Sequence, residues 1–517
     1  MELLDSSKAQ TEHKVFLAPR GKTLKNAIFR FGGQISAIAI NLAITPYIIH
    51  HLGVELFGVV GVITAIVSFM SIASSSLTST VGRNLTLAVE KRDFSRADSE
   101  ISTSVFGVLA ILGVVLFPML AGSIFIDRLI NIPPTALWDA RILFLLSIGS
   151  FSLTLLAGPL GAAMFVRNRL DLFSGVNLAK TVVFVIVVLL LFHFQDASLI
   201  TYGLALLSGS ILFCLANIAA HKYLLPGVHI ASRWFSLTVL RESISLGGWM
   251  TVSQIGALLF LQTDIFVANR VLGAETAGQY AAIIVISAQL RVLAGLASGL
   301  FAPTQTALWA QDNMAAFESY LIRSIRLTTM MMALFVGVFC GTAKVVLSLW
   351  LSPKFGTLAP TAVMLTWYLV PTLGIMPIWN ALLAAGKVKI PALITLAMGA
   401  GNVVLSIVLA KYMGLMGIAL ACCITLVLKN AVWTPWYTSR VCNINTLRLW
   451  RELALGTIFG ALIALLSYGA TTILGPQTKF MLFVTLSLST CLGLIIAAPM
   501  IFRELLRMRP KYSASRR

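Results

Sequence analysis

The chain has 517 residues, of which 58% are hydrophobic and only 11% charged, and its mean hydropathy is +0.91. A water-soluble globule of this length needs far more charged surface to stay dissolved, so soluble enzymes and soluble binding modules are excluded. The formal net charge of +19 does not call for a nucleic-acid partner, because Lys and Arg lie between apolar runs and are not gathered on one segment.

The apolar runs are about 20 residues long and lack the alternation of membrane strands, which predicts an all-α polytopic membrane protein. Fourteen spans are expected, at 27–50, 57–80, 101–126, 139–163, 172–194, 198–220, 246–269, 279–302, 327–350, 359–385, 390–412, 416–437, 453–475 and 480–502. With the N-terminus inside, about 28 of the 38 Lys and Arg fall on cytoplasmic segments, about 5 outside and about 5 within spans. That bias predicts that both termini lie in the cytoplasm. Residues 1–26 are polar and basic with no small-residue cleavage site, so the first span reads as an uncleaved signal-anchor.

Span one carries Arg30, Gln34 and Asn41, whose spacing places them on one helical face. Span two ends in SIASSSLTSTVGRN, small hydroxyl residues that permit close helix approach or line a wet cavity, and closes on Arg83. The stretch LAVEKRDFSRADSE after it reads as a cytoplasmic surface segment, at most an amphipathic helix. Asn84-Leu-Thr is a formal glycosylation sequon, discounted because that stretch faces the cytoplasm.

Residues 27–220 form a first lobe of six spans. Residues 221–245 join it to a second lobe at 246–437. A two-span appendix follows at 438–502, then a basic tail, 503–517, suited to anionic headgroups. Duplication is written in the connectors. LGVELFG at Leu52–Gly58 returns as LGAETAG at Leu272–Gly278, and Arg169 before span five is matched by Lys389 before span eleven. An even number of spans separates the copies, so the lobes are parallel repeats related by an axis along the membrane normal.

Soluble-enzyme motifs are missing. Gly21-Lys22-Thr23 lacks the earlier glycine of a phosphate loop. The six histidines lie at or beyond span ends and form no recognisable pair with an acid. Cys214, Cys340, Cys422, Cys423 and Cys491 lie in apolar spans without metal-ligand spacing and read as small buried hydrophobes.

Intramembrane polarity is therefore where function is sought. Lys344 and Arg141 are close enough to a span end to snorkel. Arg30 and Arg83 stand near the cytoplasmic boundary, as topology anchors or as a cavity mouth. Lys180 and Lys429 lie about 12 Å in, within reach of the interface. Arg291 is about 16 Å deep and needs a cavity or a partner. Asp264, about 9 Å from the outer end of the preceding span, is nearly alone on the acidic side. The two either form a hairpin salt bridge or divide the work, with Arg291 binding an anionic headgroup and Asp264 a cation or proton. Gln254 joins the candidates lining the cavity. A cationic cavity suits phosphate or acidic sugar, because the guanidinium fork grips two oxygens.

Two six-span parallel lobes, the two-span appendix and the series Gly247-Gly248, Asp264, Leu272-Gly273, Gly278, Tyr280 together resemble the polysaccharide (Wzx-type) flippases. These belong to the multidrug/oligosaccharidyl-lipid/polysaccharide exporter (MOP) superfamily, with the lipid II flippases and the multidrug and toxin extruders. The resemblance spans roughly residues 22–505. It implies a V-shaped, MATE-like pair of lobes in alternating access in a bacterial inner membrane, moving an undecaprenyl-diphosphate-linked oligosaccharide to the periplasmic leaflet. It further implies proton or sodium coupling with no other cofactor, a lipid-tail groove at spans thirteen and fourteen, and a polysaccharide polymerase or export complex as downstream partner. Two other readings stay open: a multidrug or cation antiporter on the same fold, and a membrane-embedded enzyme of envelope assembly.

Overall fold

The computed structural model describes residues 20–508, and their side chains apart from those of 20–30, 73–79, 245, 246, 500–503 and 505–508. Fourteen helical segments in it are long and apolar enough to span a bilayer. In chain order they are α1 (Phe31–Leu52), α2 (Val54–Ile72), α3 (Phe94–Ile124), α4 (Pro134–Val166), α5 (Leu170–Phe194), α6 (Leu199–Leu224), α7 (Gly247–Leu272), α8 (Ala274–Ala310), α9 (Met314–Trp350), α10 (Pro353–Ala384), α11 (Lys389–Met413), α12 (Leu415–Cys442), α13 (Thr446–Leu474) and α14 (Lys479–Pro499). No strand occurs among the described residues, as expected where every backbone group must be satisfied within its own segment. An even number of crossings brings α1's start and α14's end to one face, the linker face, which also carries the α6–α7 connection. The opposite side is the hairpin face.

Several helices outrun the hydrocarbon. The helix Met70–Glu90 prolongs α2, and α3 begins at Phe94 behind the N-cap Asp93, which accepts from the Arg96 N–H. The expected surface segment between them is therefore reduced to the turn Lys91–Asp93, with Arg92 left-handed at φ 57°. The physical reason is the cap: Asp93 satisfies an orphan amide and starts a helix inside the charged stretch. Its carboxyl is held below the usual carboxylate value, first by that backbone N–H and then by the Ser95 hydroxyl.

In the first lobe α4 packs along α6, α5 along α6 and α1 along α5. The linker is strapped to the same lobe by α3. Asp98 accepts from the His229 N–H at 2.7 Å, Ser102 from Ala231 at 3.2 Å and Thr103 from Ser236 at 3.0 Å. In the second lobe α7 packs on α11, α11 on α12, and α9 on α10. The appendix docks on α9 through both α13 and α14.

The two lobes meet along α2, which packs against α8 toward the hairpin face and, through its extension Met70–Glu90, against the α7 helix. The repeated heptapeptides lie at this junction. Gly53 and Gly273 cap α2 and α8 at φ 82° and 98°, a conformation that only glycine adopts without strain. On the hairpin face Asn131 and Asn269 exchange three hydrogen bonds, at 2.7, 2.7 and 3.0 Å. Trp350 of α9 donates its indole N–H to the Leu42 carbonyl of α1 at 2.9 Å.

Candidate functional site

In the second lobe, glycine sets up a polar interior. Gly256 of α7 and Gly399 of α11 lie so close that a Cβ on Gly256 would come within 2.6 Å of the Thr395 carbonyl. Both helices run from the linker face to the hairpin face. Two turns beyond the crossing, the same approach brings Asp264 against Asn402 and Ser406.

Asp264 is 1% exposed. Its Oδ1 accepts from Ser406 Oγ at 2.9 Å and Asn402 Nδ2 at 3.0 Å, and its Oδ2 from Tyr280 Oη at 3.3 Å. Thr425 of α12 donates to Asn402 Oδ1 at 2.9 Å. A carboxylate removed from water costs several kcal/mol unless its lone pairs are used, and these contacts use them. The oxygens here are the Asp264 carboxylate, the Asn402 amide and the Ser406 and Thr425 hydroxyls, a hard set suited to a small alkali cation. A proton on the carboxylate fits the same cage.

Arg291, eleven residues beyond Tyr280 on α8, does not touch Asp264. Its Nη2 donates to Tyr368 Oη at 3.0 Å. Tyr368 stands at a break in α10 between the helices Ala359–Trp367 and Leu369–Gly374. Pro371 has no N–H to return to the carbonyl of Trp367, which opens the helix there. The hairpin salt bridge is thus absent, and the two charges have separate hydrogen-bond partners.

Arg291 also lines a cavity of about 300 Å³ enclosed by α7, α8, α10, α11 and α12. Lys429 lines it too, with Trp379 and Trp433 among the walls and Ser253, Thr372, Thr395 and Asn430 as polar lining; no acid is among its described walls. Lys429 reaches it because Val427–Trp433 is wound as a π-turn, a widening often found at functional positions. The Lys429 carbonyl is kept satisfied by the Thr434 hydroxyl at 2.9 Å, and Lys429 Nζ donates to Asn430 Oδ1 at 3.0 Å.

The remaining candidates are scattered. Lys180 is half-buried in the first lobe, donating to Thr154 Oγ1 at 2.9 Å with its ammonium 5.1 Å from the Phe213 ring centre. Arg83 is exposed and lines a separate first-lobe cavity of about 510 Å³ between α2 and α4. Asn41 turns its amide back to the Ala37 carbonyl of its own helix at 2.9 Å. Gln34 and Gln254 are half-buried and line neither cavity. The side chain of Arg30, like those of the hydroxyl run at 73–79, lies outside the described residues. Arg141 is held at the hairpin face by the Ile124 carbonyl at 2.9 Å and Asp127 at 3.5 Å.

Sequence reasoning passed over Asn402, Ser406, Thr425, Tyr368 and Cys422. Asn402 and Ser406, one turn apart in an otherwise apolar span, carry a signal that could have been read. Cys422, taken as a small hydrophobe, lies 3.2 Å from Tyr368 Oη.

No protein-family model matches the chain. It is 35% identical over 407 residues to the "Uncharacterized membrane protein EpsK" of Bacillus subtilis, covering 78% of this chain and 81% of that one. It is 22% identical to the "Putative O-antigen transporter" of Shigella flexneri, over 81% of this chain and 99% of that one. Among solved structures, the lipid II flippase MurJ in an inward closed conformation aligns with a TM-score of 0.64 at 14% identity. That alignment covers 94% of this chain and all of MurJ.

Proposed function

The chain belongs to the family of the Bacillus subtilis membrane protein EpsK, within the multidrug/oligosaccharidyl-lipid/polysaccharide exporter superfamily, and from that membership we propose that it flips an undecaprenyl-diphosphate-linked oligosaccharide from the cytoplasmic to the periplasmic leaflet. It is a transporter and not an enzyme. The observation that carries the substrate class is the second-lobe cavity, where Arg291 and Lys429 share one chamber with no acid among its described walls. Two cations at membrane depth are costly unless an anion or water meets them. A diphosphate meets both, and Trp379 and Trp433 offer faces on which a sugar ring packs. An exporter of organic cations would want the opposite sign at that wall.

The cytoplasm lies on the linker face in this reading, since the basic connections, the start of α1 and the end of α14 lie there. The lobes rock about the α2–α8 and α2–α7 contacts. The Asp264 cage takes the coupling ion, sodium or a proton. The product passes to a polysaccharide polymerase or export complex.

The test is genetic and chemical. Deleting the gene in its own host should trap a defined undecaprenyl-linked sugar in the cytoplasmic leaflet, and wild type should clear it where Arg291→Ala does not. Unchanged export of surface polysaccharide in the deletion strain, with no other flippase gene of this family present, would defeat the proposal.

A further inference from the structure

A cavity of about 320 Å³ opens at the linker face, where α9, α13 and the end of the C-terminal helix converge, and no step of the proposed transport uses it. Its walls carry Arg323 and Arg326 of α9, Arg448 and Arg451 of α13 and, among the described residues, one acid, Glu504. On each helix the two arginines stand three positions apart, which sets both on one face.

The neighbouring carboxylates do not exhaust these cations. Arg326 is committed, gripping Glu452 at 2.6 and 2.9 Å and pairing with Glu504. Arg323 reaches Glu504 at 3.6 Å. Arg448 donates to Glu318 through one nitrogen at 2.9 Å, and Arg451 to Glu452 through one at 3.1 Å. These two side chains are 59% and 62% exposed, and a guanidinium has five N–H groups to give. Four guanidiniums thus meet three carboxylates, Glu318, Glu452 and Glu504, and the forks on α13 keep donors for a further anion. Phosphate matches that fork, because its oxygens take two parallel N–H bonds at once.

The height of the cluster decides whose phosphate it is. Arg326 lies 24 positions before Trp350, the end of α9, which is about 36 Å along the helix. A whole hydrocarbon layer of about 30 Å therefore fits between the cluster and the hairpin face, and the arginines stand at the headgroups of the linker-face leaflet. Trp450, between the two α13 arginines, is exposed and donates its indole N–H to the Ala431 carbonyl at 3.0 Å, as suits the aromatic belt of an interface. Beyond Arg448 and Arg451, exposed Leu455, Ile458, Leu462 and Leu465 continue the same face of α13 at spacings of three and four. That stripe gives acyl chains a surface directly beneath the arginines, which a free phosphate does not use.

We infer that this cavity holds the phosphate of an anionic phospholipid of the linker-face leaflet, shared between α9 and α13, and that the lipid fastens the appendix to the second lobe. Basic pockets between helices at a cytoplasmic surface suit such headgroups. A lipid that binds only the folded junction stabilises it by mass action. Its role is independent of which substrate crosses and which ion drives it.

The full-length protein, purified in detergent, is titrated with phosphatidylglycerol, with phosphatidylcholine of the same acyl chains, and with inorganic phosphate alone. Native mass spectrometry counts bound lipid, and a thermal scan follows the midpoint. In wild type phosphatidylglycerol should bind about 10-fold or more tighter than phosphatidylcholine, the worth of one charge-assisted hydrogen bond, and should raise the midpoint. Arg448→Gln with Arg451→Gln should bring that ratio toward one; both positions are exposed and Glu452 keeps Arg326, so the fold is retained. Arg448→Lys with Arg451→Lys should keep part of the preference. Arg233→Gln with Arg241→Gln removes two exposed charges from the α6–α7 connection on the same face and should leave the ratio standing. Equal losses from the two Gln pairs would reduce the effect to diffuse surface charge and overturn the site. A wild type that takes both lipids alike overturns it too. Inorganic phosphate alone, raising the midpoint as far as phosphatidylglycerol does, would give the cavity to a soluble anion and overturn the lipid.

Discussion

Gly58 and Gly278 lie back to back where α2 crosses α8. A Cβ on Gly58 would come within 2.6 Å of the Gly278 nitrogen, and one on Gly278 would overlap the Val54 carbonyl. Each is the last residue of its copy of the repeated heptapeptide, so the repeat meets itself on the axis between the lobes. Hydrogen as a side chain is what lets two helices approach this closely in a membrane, where packing and not hydrophobicity drives association. Gly278→Val should cost about 1–3 kcal/mol by overpacking. The lobes should be wedged apart toward the hairpin face, seen as faster labelling of a cysteine placed at Val54. A variant as thermostable as wild type, with labelling unchanged, would show the crossing to be slack.

Arg291 and Lys429 face one chamber from different helices, but they do different work. The planar fork of Arg291 can hold two phosphate oxygens, whereas Lys429 is a point charge. A charge-assisted hydrogen bond is worth about 1.5–3 kcal/mol. Arg291→Ala should therefore weaken binding of a short-chain polyprenyl diphosphate by about 10- to 100-fold, and Arg291→Lys should recover only part of it. Lys429→Ala should show a smaller loss that narrows with added salt. Equal and small effects from both would mean that the anion sits elsewhere.

Much of this architecture was legible beforehand, for a physical reason. Hydrocarbon demands long apolar segments, so all fourteen spans and the two-lobe plan could be read from hydropathy and from one repeated connector. Which candidates share a cavity was not legible. That depends on helix rotation and on local breaks: the π-turn that contains Lys429, and the interruption at Tyr368, where Arg291 finds its partner. Gln34 and Asn41 show the converse failure. They share a helical face on paper, yet Asn41 spends its amide on its own backbone.

Arg326 holds the appendix to the second lobe. From α9 its guanidinium grips Glu452 of α13 at 2.6 and 2.9 Å, and it also pairs with Glu504 at the end of the C-terminal helix. The two carboxylates are 1% and 4% exposed at their side chains. Arg451 also reaches Glu452 at 3.1 Å and Arg323 reaches Glu504 at 3.6 Å, so loss of Arg326 leaves each carboxylate one cation and should cost less than the about 3–5 kcal/mol of a stranded buried charge. Arg326→Ala should lower the thermal midpoint in detergent and expose the appendix helices to protease. Arg326→Ala combined with Glu452→Gln and Glu504→Gln should regain a good part of that stability, because no buried carboxylate is then left with one partly exposed cation to balance it. A single variant as stable as wild type would show that water already reaches the cluster.

Asp264 gathers three protein donors, and its cage separates charge from shape. Asp264→Asn keeps the volume and much of the hydrogen bonding but removes the negative charge that would hold an ion. Transport driven by an imposed sodium or proton gradient in proteoliposomes should then lose its dependence on that gradient, while equilibrating flip without a gradient persists at a reduced rate. Ser406→Ala and Thr425→Val each remove one neutral oxygen, so each should raise the ion concentration needed for half-maximal coupling. A neutral hydrogen bond is worth about 1 kcal/mol, which makes the expected increase about fivefold. The contrast between the charge variant and the two neutral ones is what identifies the site. If all three behave alike, the cage is structural and the coupling ion binds at another place in the protein.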